Sequence, residues 1–147
     1  MPDPVETVEA VCEWVHSALE YRPGVTGVHT SAAEVIQTGQ GVCQDFAHLA
    51  VAFPRSIGVP ARYVSGYLHP VPEPEVGVTV EGQSHAWIEV WTCGWWELDP
   101  TNLGAVGPRH VAVGRGRDYG DVPPLKGIYA GGSQDSTSRT VSIQRTR

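Results

Sequence analysis

The sequence predicts a single domain of mixed helices and strands, in which helices come first and an antiparallel hairpin follows. Apolar residues recur at three- and four-residue steps in much of the first 57 residues, and polar and apolar residues alternate in runs from Val59 onward. The 147 residues suit one domain, which buries about two-thirds of the surface of its unfolded chain. We therefore expect one hydrophobic core that both kinds of element share.

The composition narrows the class of function. A formal net charge of -6 and the lack of any Lys/Arg cluster argue against nucleic acid or an anionic membrane as a partner. No apolar run approaches the roughly 18 residues of a membrane-spanning helix, and residues 1–9 lack the basic start and apolar segment of a leader peptide. We therefore expect a cytoplasmic protein.

The cysteines indicate chemistry rather than crosslinking. The chain has 3 of them, Cys12, Cys43 and Cys93, an odd number at wide spacing, and no Cys-x-x-Cys. Cys12 and His16 lie one helical turn apart, but two ligands fall short of the four that structural zinc takes. We expect no metal and no cofactor, a core position for Cys12 and an exposed turn for Cys93.

Two helices are predicted before the segment that carries Cys43. The apolar stripe from Val5 to Leu19 indicates an amphipathic helix that ends near the Tyr21–Gly24 segment, where a proline follows. Ser31 and Glu34 have the spacing of a capping box, so a second helix is expected to Thr38. A tight turn over 39–41 should follow.

A third helix is expected to carry Cys43 in its first turn. Its apolar stripe begins at Val42, and Cys43 lies on that stripe, so the thiol should sit at the positive end of the helix dipole. Pro54 falls inside this helix, where it removes a backbone donor at a cost of about 3 kcal/mol. The sequence therefore predicts a kink or an early end near Phe53.

Strands are predicted over Val59–Leu68, Ser84–Trp91 and Trp95–Asp99. The long segment between the first two is rich in Pro and Gly, and part of it, 76–80, is left open as a further strand. Thr92, Cys93 and Gly94 make a three-residue hairpin loop, with Gly94 expected at the left-handed position.

The hairpin register places a histidine near an acid. If Trp91 pairs with Trp95, Glu89 faces Glu97, an unfavourable pair that is tolerable when solvated. His85 then becomes the diagonal neighbour of Asp99, with Cα atoms roughly 7 to 8 Å apart. A slip of one residue would place the two side chains on opposite faces, so the prediction depends on the loop.

Cys43, His85 and Asp99 are the parts of a cysteine nucleophile with an oriented base. The thiolate is the attacking form, and a helix N-terminus and an imidazolium both favour it. Asp99 would hold the imidazole in one tautomer. Oxyanion candidates are the Cys43 N–H and the side-chain amides of Gln40 and Gln44, whereas Trp87 is a candidate for an acyl pocket although hairpin packing is favoured.

The C-terminal part carries weaker signals. Residues 111–113 are expected to form a brief strand or a helical turn, and the alternation over 139–146 predicts an edge strand of the sheet. Residues 131–136 have the composition of a mobile loop. His29, His48, His69 and His110 are interpreted as surface or structural residues.

Four ordered motifs resemble the bacterial transglutaminase-like superfamily of cysteine enzymes. They are Gly41-Val42-Cys43-Gln44-Asp45-Phe46-Ala47, then the run from Gly58 to Tyr67, then Ser84-His85-Ala86-Trp87, and then Leu98-Asp99-Pro100-Thr101-Asn102. The resemblance implies an α+β papain-like fold in which the helix bearing the nucleophile packs on an antiparallel sheet. It implies one domain over 1–147, with core motifs in 30–102 and an extension over 103–147, and Cys43, His85 and Asp99 as nucleophile, base and orienting acid.

Two functions follow from this resemblance. The first is an amide or peptide hydrolase, or an acyl transferase, that works through a thioester on Cys43. Hydrolysis is favoured because nothing in the sequence specifies a site for an amine acceptor. The second is a non-catalytic peptide-binding module on the same fold. A metal-dependent hydrolase ranks third because the ligand spacing for it is missing.

Overall fold

Three helices form over the predicted apolar stripes. The structure, a computed structural model, describes residues 3–124, 130–132 and 138–147. Helix α1 spans Pro4–Ala18, α2 spans Ala32–Thr38 and α3 spans Cys43–Ser56. The predicted capping box is confirmed, since the Ser31 N–H donates to Glu34 Oε2 at 2.7 Å and the Glu34 N–H donates to Ser31 Oγ at 3.3 Å.

Short strands lie between the helices. Strand β1, Glu20–Tyr21, pairs in parallel with β2, Gln40–Gly41, so part of the predicted turn over 39–41 is extended. Gly39 provides the turn itself, because it ends α2 in the left-handed region at φ 67°. This pairing ties the end of α1 to the segment that leads into α3.

A five-stranded antiparallel sheet forms the second layer. Its strands are β3 (Ala61–Leu68), β5 (Gln83–Trp91), β6 (Trp95–Asp99), β7 (Gly104–Ala105) and β8 (His110–Gly116), and its order is β7-β6-β5-β3-β8. Trp91 pairs with Trp95 and Glu89 with Glu97, so the predicted hairpin register is confirmed. The expected brief strand over 111–113 is part of the longer β8, which pairs with β3.

The C-terminal strand does not join this sheet. Strand β9, Ser142–Gln144, pairs with β4, Thr79–Glu81, in a separate two-stranded sheet. The expectation of an edge strand on the main sheet is therefore wrong. Strand β4, which lies in the long segment after β3, supplies the pairing partner instead. The predicted loop over 131–136 falls largely on residues 133–137, which lie outside the described residues.

The core lies between the helices and one face of the sheet. The even-numbered residues of β5, Ala86, Ile88 and Val90, are buried against α1 and α3, whose own contributions include Val15 and Leu49. The odd-numbered residues of β5 face the other side of the sheet, since side chains alternate along a strand. The expected α+β architecture, a cysteine-bearing helix on an antiparallel sheet, is confirmed.

Two local predictions need correction. Of the kink or early end expected near Phe53, the early end is wrong, because helix α3 runs through Pro54 to Ser56. Pro54 lies in the last turn, so few helical bonds are lost, and its carbonyl accepts from the N–H groups of Ile57 and Val59 at 3.2 and 2.9 Å. In the hairpin loop, Cys93 and not Gly94 takes the left-handed position, at φ 69°.

No helix in the described part of the chain combines the length and the hydropathy that crossing a bilayer requires.

Candidate active site

Cys43 is the first residue of α3, and the turn before it is fixed by a buried carboxylate. Asp45 is fully buried, and its Oδ2 accepts from the Val42 N–H at 2.8 Å and from Thr26 Oγ1 at 2.6 Å. A Cβ on Gly41 would stand 2.6 Å from the Asp45 Cβ, so only glycine fits there. The sequence around Cys43 thus sets the start of α3 closely.

The hairpin brings His85 and Asp99 together as its register predicts. His85 Nε2 lies 2.7 Å from Asp99 Oδ2, and both side chains are buried. The Cys43 thiol lies near the same imidazole and raises its pKa. Because Nε2 faces Asp99, Nδ1 is the ring nitrogen available to a partner on the other side. The structure therefore brings all three predicted site residues into one chain of contacts.

The electrostatics of these three side chains favour the imidazolium form of His85. Burial lowers the pKa of His85, but hydrogen bonds to Asp99 and Cys43 outweigh the burial and raise the pKa to about 9. Burial also raises the pKa of Asp99, but hydrogen bonds from His110 and His85 outweigh it and hold the pKa well below its usual range. Asp99 is accordingly a carboxylate throughout the neutral range.

Two residues that the sequence interpretation did not assign to the site also contact Asp99. His110 Nε2 lies 2.9 Å from Asp99 Oδ2, and Asn102 Nδ2 donates to the same oxygen at 3.0 Å. The interpretation of His110 as a surface or structural residue missed this contact with the acid. The contact of Asn102 with Asp99 could have been predicted from its place in the same motif, three residues after Asp99. The contact of His110 could not, because His110 reaches Asp99 through strand pairing.

The ligand atoms of His85, Asp99 and His110 lie within 4.8 Å of one another, which is the spacing of a possible metal set. The bonds around His110 favour a different arrangement. The Gly107 N–H donates to His110 Nδ1 at 3.2 Å, so the proton of the neutral ring sits on Nε2, the atom that a metal would need. The contacts fit a hydrogen-bond network, and the expected lack of a metal stays a prediction.

The other candidate residues lie close to the site but are occupied differently. Gln40 Nε2 donates to Glu20 Oε2 at 3.2 Å, and Gln44 Nε2 donates to the Val28 carbonyl at 3.4 Å. Trp87 is fully buried with its ring 6.0 Å from that of His85, and its Nε1 has no hydrogen-bond partner among the described residues. Trp87 thus packs beside His85, and the two glutamine amides are held by neighbours.

A second buried carboxylate lies on the same sheet face. Glu89 bonds Arg62, and its Oε1 accepts from Arg115 Nε at 2.8 Å. Arg115 Nη2 also lies 3.7 Å from Glu97 Oε1. The facing pair of Glu89 and Glu97 is therefore offset by arginines rather than by water, since Glu89 is only 2% exposed.

The other cysteines occupy the places that the sequence predicts. Cys12 is buried in the core on α1, and this burial, with the nearby charge of Asp99, raises its pKa to about 12. Cys93 is exposed in the hairpin loop. Among the described residues, neither thiol has the setting of Cys43.

The comparisons with known sequences agree with this fold. The sequence pattern of the transglutaminase-like superfamily matches residues 1–100. An uncharacterized protein of Mycobacterium leprae is 52% identical over 145 residues, which make up 99% of this chain and 51% of the relative. An uncharacterized protein of Mycobacterium tuberculosis is 43% identical over 142 residues, or 90% of this chain and 44% of the relative. The chain spans about half the length of these curated relatives.

Solved structures are similar as well. A candidate cysteine protease from Cytophaga hutchinsonii superposes with a TM-score of 0.77 at 30% identity, over 98% of this chain and 46% of that chain. Calcium-bound LapG of Legionella pneumophila superposes with a TM-score of 0.57 at 20% identity, over 76% of this chain and 65% of that chain, which shows likeness of fold alone.

A cysteine at a helix start, packed on an antiparallel sheet that presents a histidine and an acid, defines a papain-like α+β domain of the transglutaminase-core type. On the match over 1–100 and the relatives above, the chain belongs to the transglutaminase-like superfamily.

Proposed function

We propose that this domain is a cysteine-dependent hydrolase of amide or peptide bonds, with Cys43 as the nucleophile, His85 as the base and Asp99 as the orienting acid. One observation carries the proposal: the buried contact between His85 and Asp99 at 2.7 Å, with Cys43 near enough to the imidazole to raise its pKa. The 30% identity to a candidate cysteine protease over 98% of this chain supports the same class.

In the first step the Cys43 thiolate attacks the carbonyl carbon of the scissile amide. The thiol proton resides on His85, whose cation Asp99 stabilises. The first N–H groups of a helix have no partner inside the helix, so those of Cys43 and Gln44 are available for the oxyanion. The proposed site thus needs no further group to hold the tetrahedral intermediate.

Collapse of that intermediate breaks the carbon–nitrogen bond, and His85 gives its proton to the departing amine. A thioester on Cys43 and a free amine result. In the second half, neutral His85 takes a proton from water, whose oxygen attacks the thioester, and a carboxylic acid leaves while Cys43 recovers as thiolate. Hydrolysis is proposed over transfer because the sequence specifies no site for an amine acceptor.

The proposed substrate is a peptide or protein segment, and the cytoplasmic location expected from the sequence stays a prediction. The test is to incubate the protein with a mixed peptide library, quench in acid and analyse the intact protein and the peptides by mass spectrometry. We expect an acyl adduct that maps to Cys43, together with cleaved peptides.

Cys43→Ala and Cys93→Ala are the matched variants, because Cys93 is an exposed thiol far from this chemistry. The adduct should vanish in the first and persist in the second. Peptide binding by the Cys43→Ala variant, with neither adduct nor product from the unmutated protein, would instead identify a non-catalytic binding module.

A further inference from the structure

Asp99 is contacted by a second histidine that the Cys-His-Asp set does not include. We infer that His110 is a positioning residue: it donates a hydrogen bond to Asp99 and fixes the carboxylate in the place from which it orients His85. The inference rests on the proposed function and deepens it. His110 acts through Asp99 rather than on the reacting atoms.

The distances make the two histidines near-equal partners of one oxygen. Asp99 Oδ2 lies 2.7 Å from His85 Nε2 and 2.9 Å from His110 Nε2. The two imidazole rings are 5.9 Å apart, and the His110 ring meets the Trp87 ring edge-on at 5.1 Å. Only 9% of the His110 side chain is exposed, so water competes little for this bond.

The backbone decides which way the bond from His110 points. The Gly107 N–H donates to His110 Nδ1 at 3.2 Å, and a ring nitrogen that accepts a hydrogen bond carries no hydrogen. The hydrogen of the neutral ring is therefore on Nε2 and points at Asp99. Because the same loop supplies both Gly107 and His110, the tautomer is set locally.

The donation from His110 completes the coordination of Asp99. Oδ1 accepts from the backbone N–H groups of Thr101 at 3.1 Å and Asn102 at 3.2 Å, while Oδ2 accepts from Asn102 Nδ2 and the two histidines. Donors on both oxygens fix the plane of the carboxylate and favour its ionised form. An ionised, immobile Asp99 then keeps the hydrogen of neutral His85 on Nε2, which frees Nδ1 for the thiol proton.

Strand β8 pairs with β3 through an irregular register near His110. The register of β3 and β8 shifts between Ser65 and Gly66, and a Cβ on Gly66 would stand 2.0 Å from the Val111 carbonyl oxygen and 2.7 Å from Trp87. Glycine at 66 is thus needed for β8 to lie against β3 at that point. His110, the first residue of β8, lies one residue before Val111, at this point of contact between the strands.

The test measures the rate of Cys43 alkylation by iodoacetamide between pH 5 and 10 in four proteins: unmutated, His110→Phe, His110→Gln and His29→Phe. In the unmutated protein, labelling should be fast below the pH at which an ordinary thiol ionises. Loss of the donor in His110→Phe should slow labelling near pH 6.5 by about 10-fold to 100-fold, the size of effect that small misplacement causes. The reactive range should also move toward that of a free thiol.

His110→Gln keeps an N–H donor near the position of Nε2 and should recover most of the rate and the pH profile. His29→Phe changes an exposed histidine and should leave both unchanged. Circular dichroism and urea midpoints identify variants that fail to fold. A His110→Phe profile that superposes on the unmutated one overturns the inference, as does a His110→Gln variant that folds but behaves like His110→Phe.

A second measurement needs no variant to fold. Long-range ¹H–¹⁵N correlations on ¹⁵N-histidine-labelled protein distinguish the two imidazole tautomers. We expect the Nε2–H form for His110 at neutral pH, and an Nδ1–H form would overturn the inference. If Cys43 of the unmutated protein labels no faster than free cysteine, the proposed function fails, whereas the tautomer of His110 is still decided by this measurement.

Discussion

Two buried carboxylates lie on the same face of the sheet, and their partners differ. Asp99 and Glu89 are each 2% exposed. Asp99 is bound by two imidazoles, His85 and His110, whereas Glu89 is bound by two guanidinium groups. Burial penalises both anions in the same way, and hydrogen bonds to their partners offset the penalty.

The difference lies in what the partners can do with a proton. An arginine stays charged at every pH that a protein survives, so Glu89 with Arg62 and Arg115 is a fixed clamp between β5, β3 and β8. An imidazole gains and loses its proton within the working range. The Asp99 cluster is therefore suited to proton transfer, and the Glu89 cluster to holding the sheet together.

The largest expected effect is a difference in the rate of peptide hydrolysis between variants of the two carboxylates. Asp99→Asn replaces an acceptor with an amide that favours the wrong tautomer of His85, and peptide hydrolysis should fall on the order of 10⁴-fold, by analogy with serine protease triads. Glu89→Gln should change the rate only a few-fold. The measurement is kcat/KM on a peptide that the library experiment identifies. Equal losses in the two variants would mean that imidazole and guanidinium partners do not give the two carboxylates different roles.

Glu89→Gln should show that the Glu89 carboxylate, unlike that of Asp99, serves mainly the stability of the fold. Removing the charge leaves the bonds of Arg62 and Arg115 without a carboxylate, and we expect the free energy of unfolding to drop by about 1–3 kcal/mol in urea titrations. Cys43 labelling at neutral pH serves as the control and should keep its rate. An unchanged urea midpoint would show that the clamp contributes nothing to the sheet.

The two clusters should also differ in their response to alkali. The folded-state pKa of His85 is raised from 6.5 to about 9, so the stability from its imidazolium is fully present below pH 6.5 and is lost as pH rises through about 9. Hydrolysis needs the same proton and should fall about tenfold per pH unit above that value. The arginine clamp does not titrate there. A rate that declines already near pH 6.5 would contradict the raised pKa of His85.

The smallest effect is expected within the clamp. Arg115→Ala removes a side chain that is 42% exposed, while Arg62 keeps its bond to Glu89, so a loss of about 0.2–1 kcal/mol is expected. Arg62→Ala should cost more, because that guanidinium also stacks on Trp95 at 3.8 Å. The reverse order in urea titrations would assign the main contact of Glu89 to Arg115.

The parts of the site that could be predicted depend on short stretches of chain. The register of the hairpin follows from a three-residue loop and strict alternation, and this register alone puts His85 beside Asp99. The start of α3 followed in the same way from its apolar stripe. One local prediction failed where neighbouring residues compete, as Cys93 and Gly94 do for the left-handed position of the loop. Another failed at Pro54, because the last turn of α3 tolerates a proline.

The contacts that could not be predicted join segments far apart in sequence. His110 begins β8 and Asp99 ends β6, so their contact depends on how β8 pairs with β3 and on the connection that leads to it. Arg115 reaches Glu89 by the same pairing. A strand register across a long connection is fixed by the packing of the whole sheet, which no local pattern records.

The sequence by itself determined the three helices, the main hairpin and the order of thiol, imidazole and acid, because helical period, strand alternation and loop length are properties of neighbouring residues. Only the tertiary structure decided which further groups surround the two carboxylates, His110 at Asp99 and the two arginines at Glu89. Those partners arrive from separate strands, and burial makes each anion depend on whichever donors the packed sheet presents.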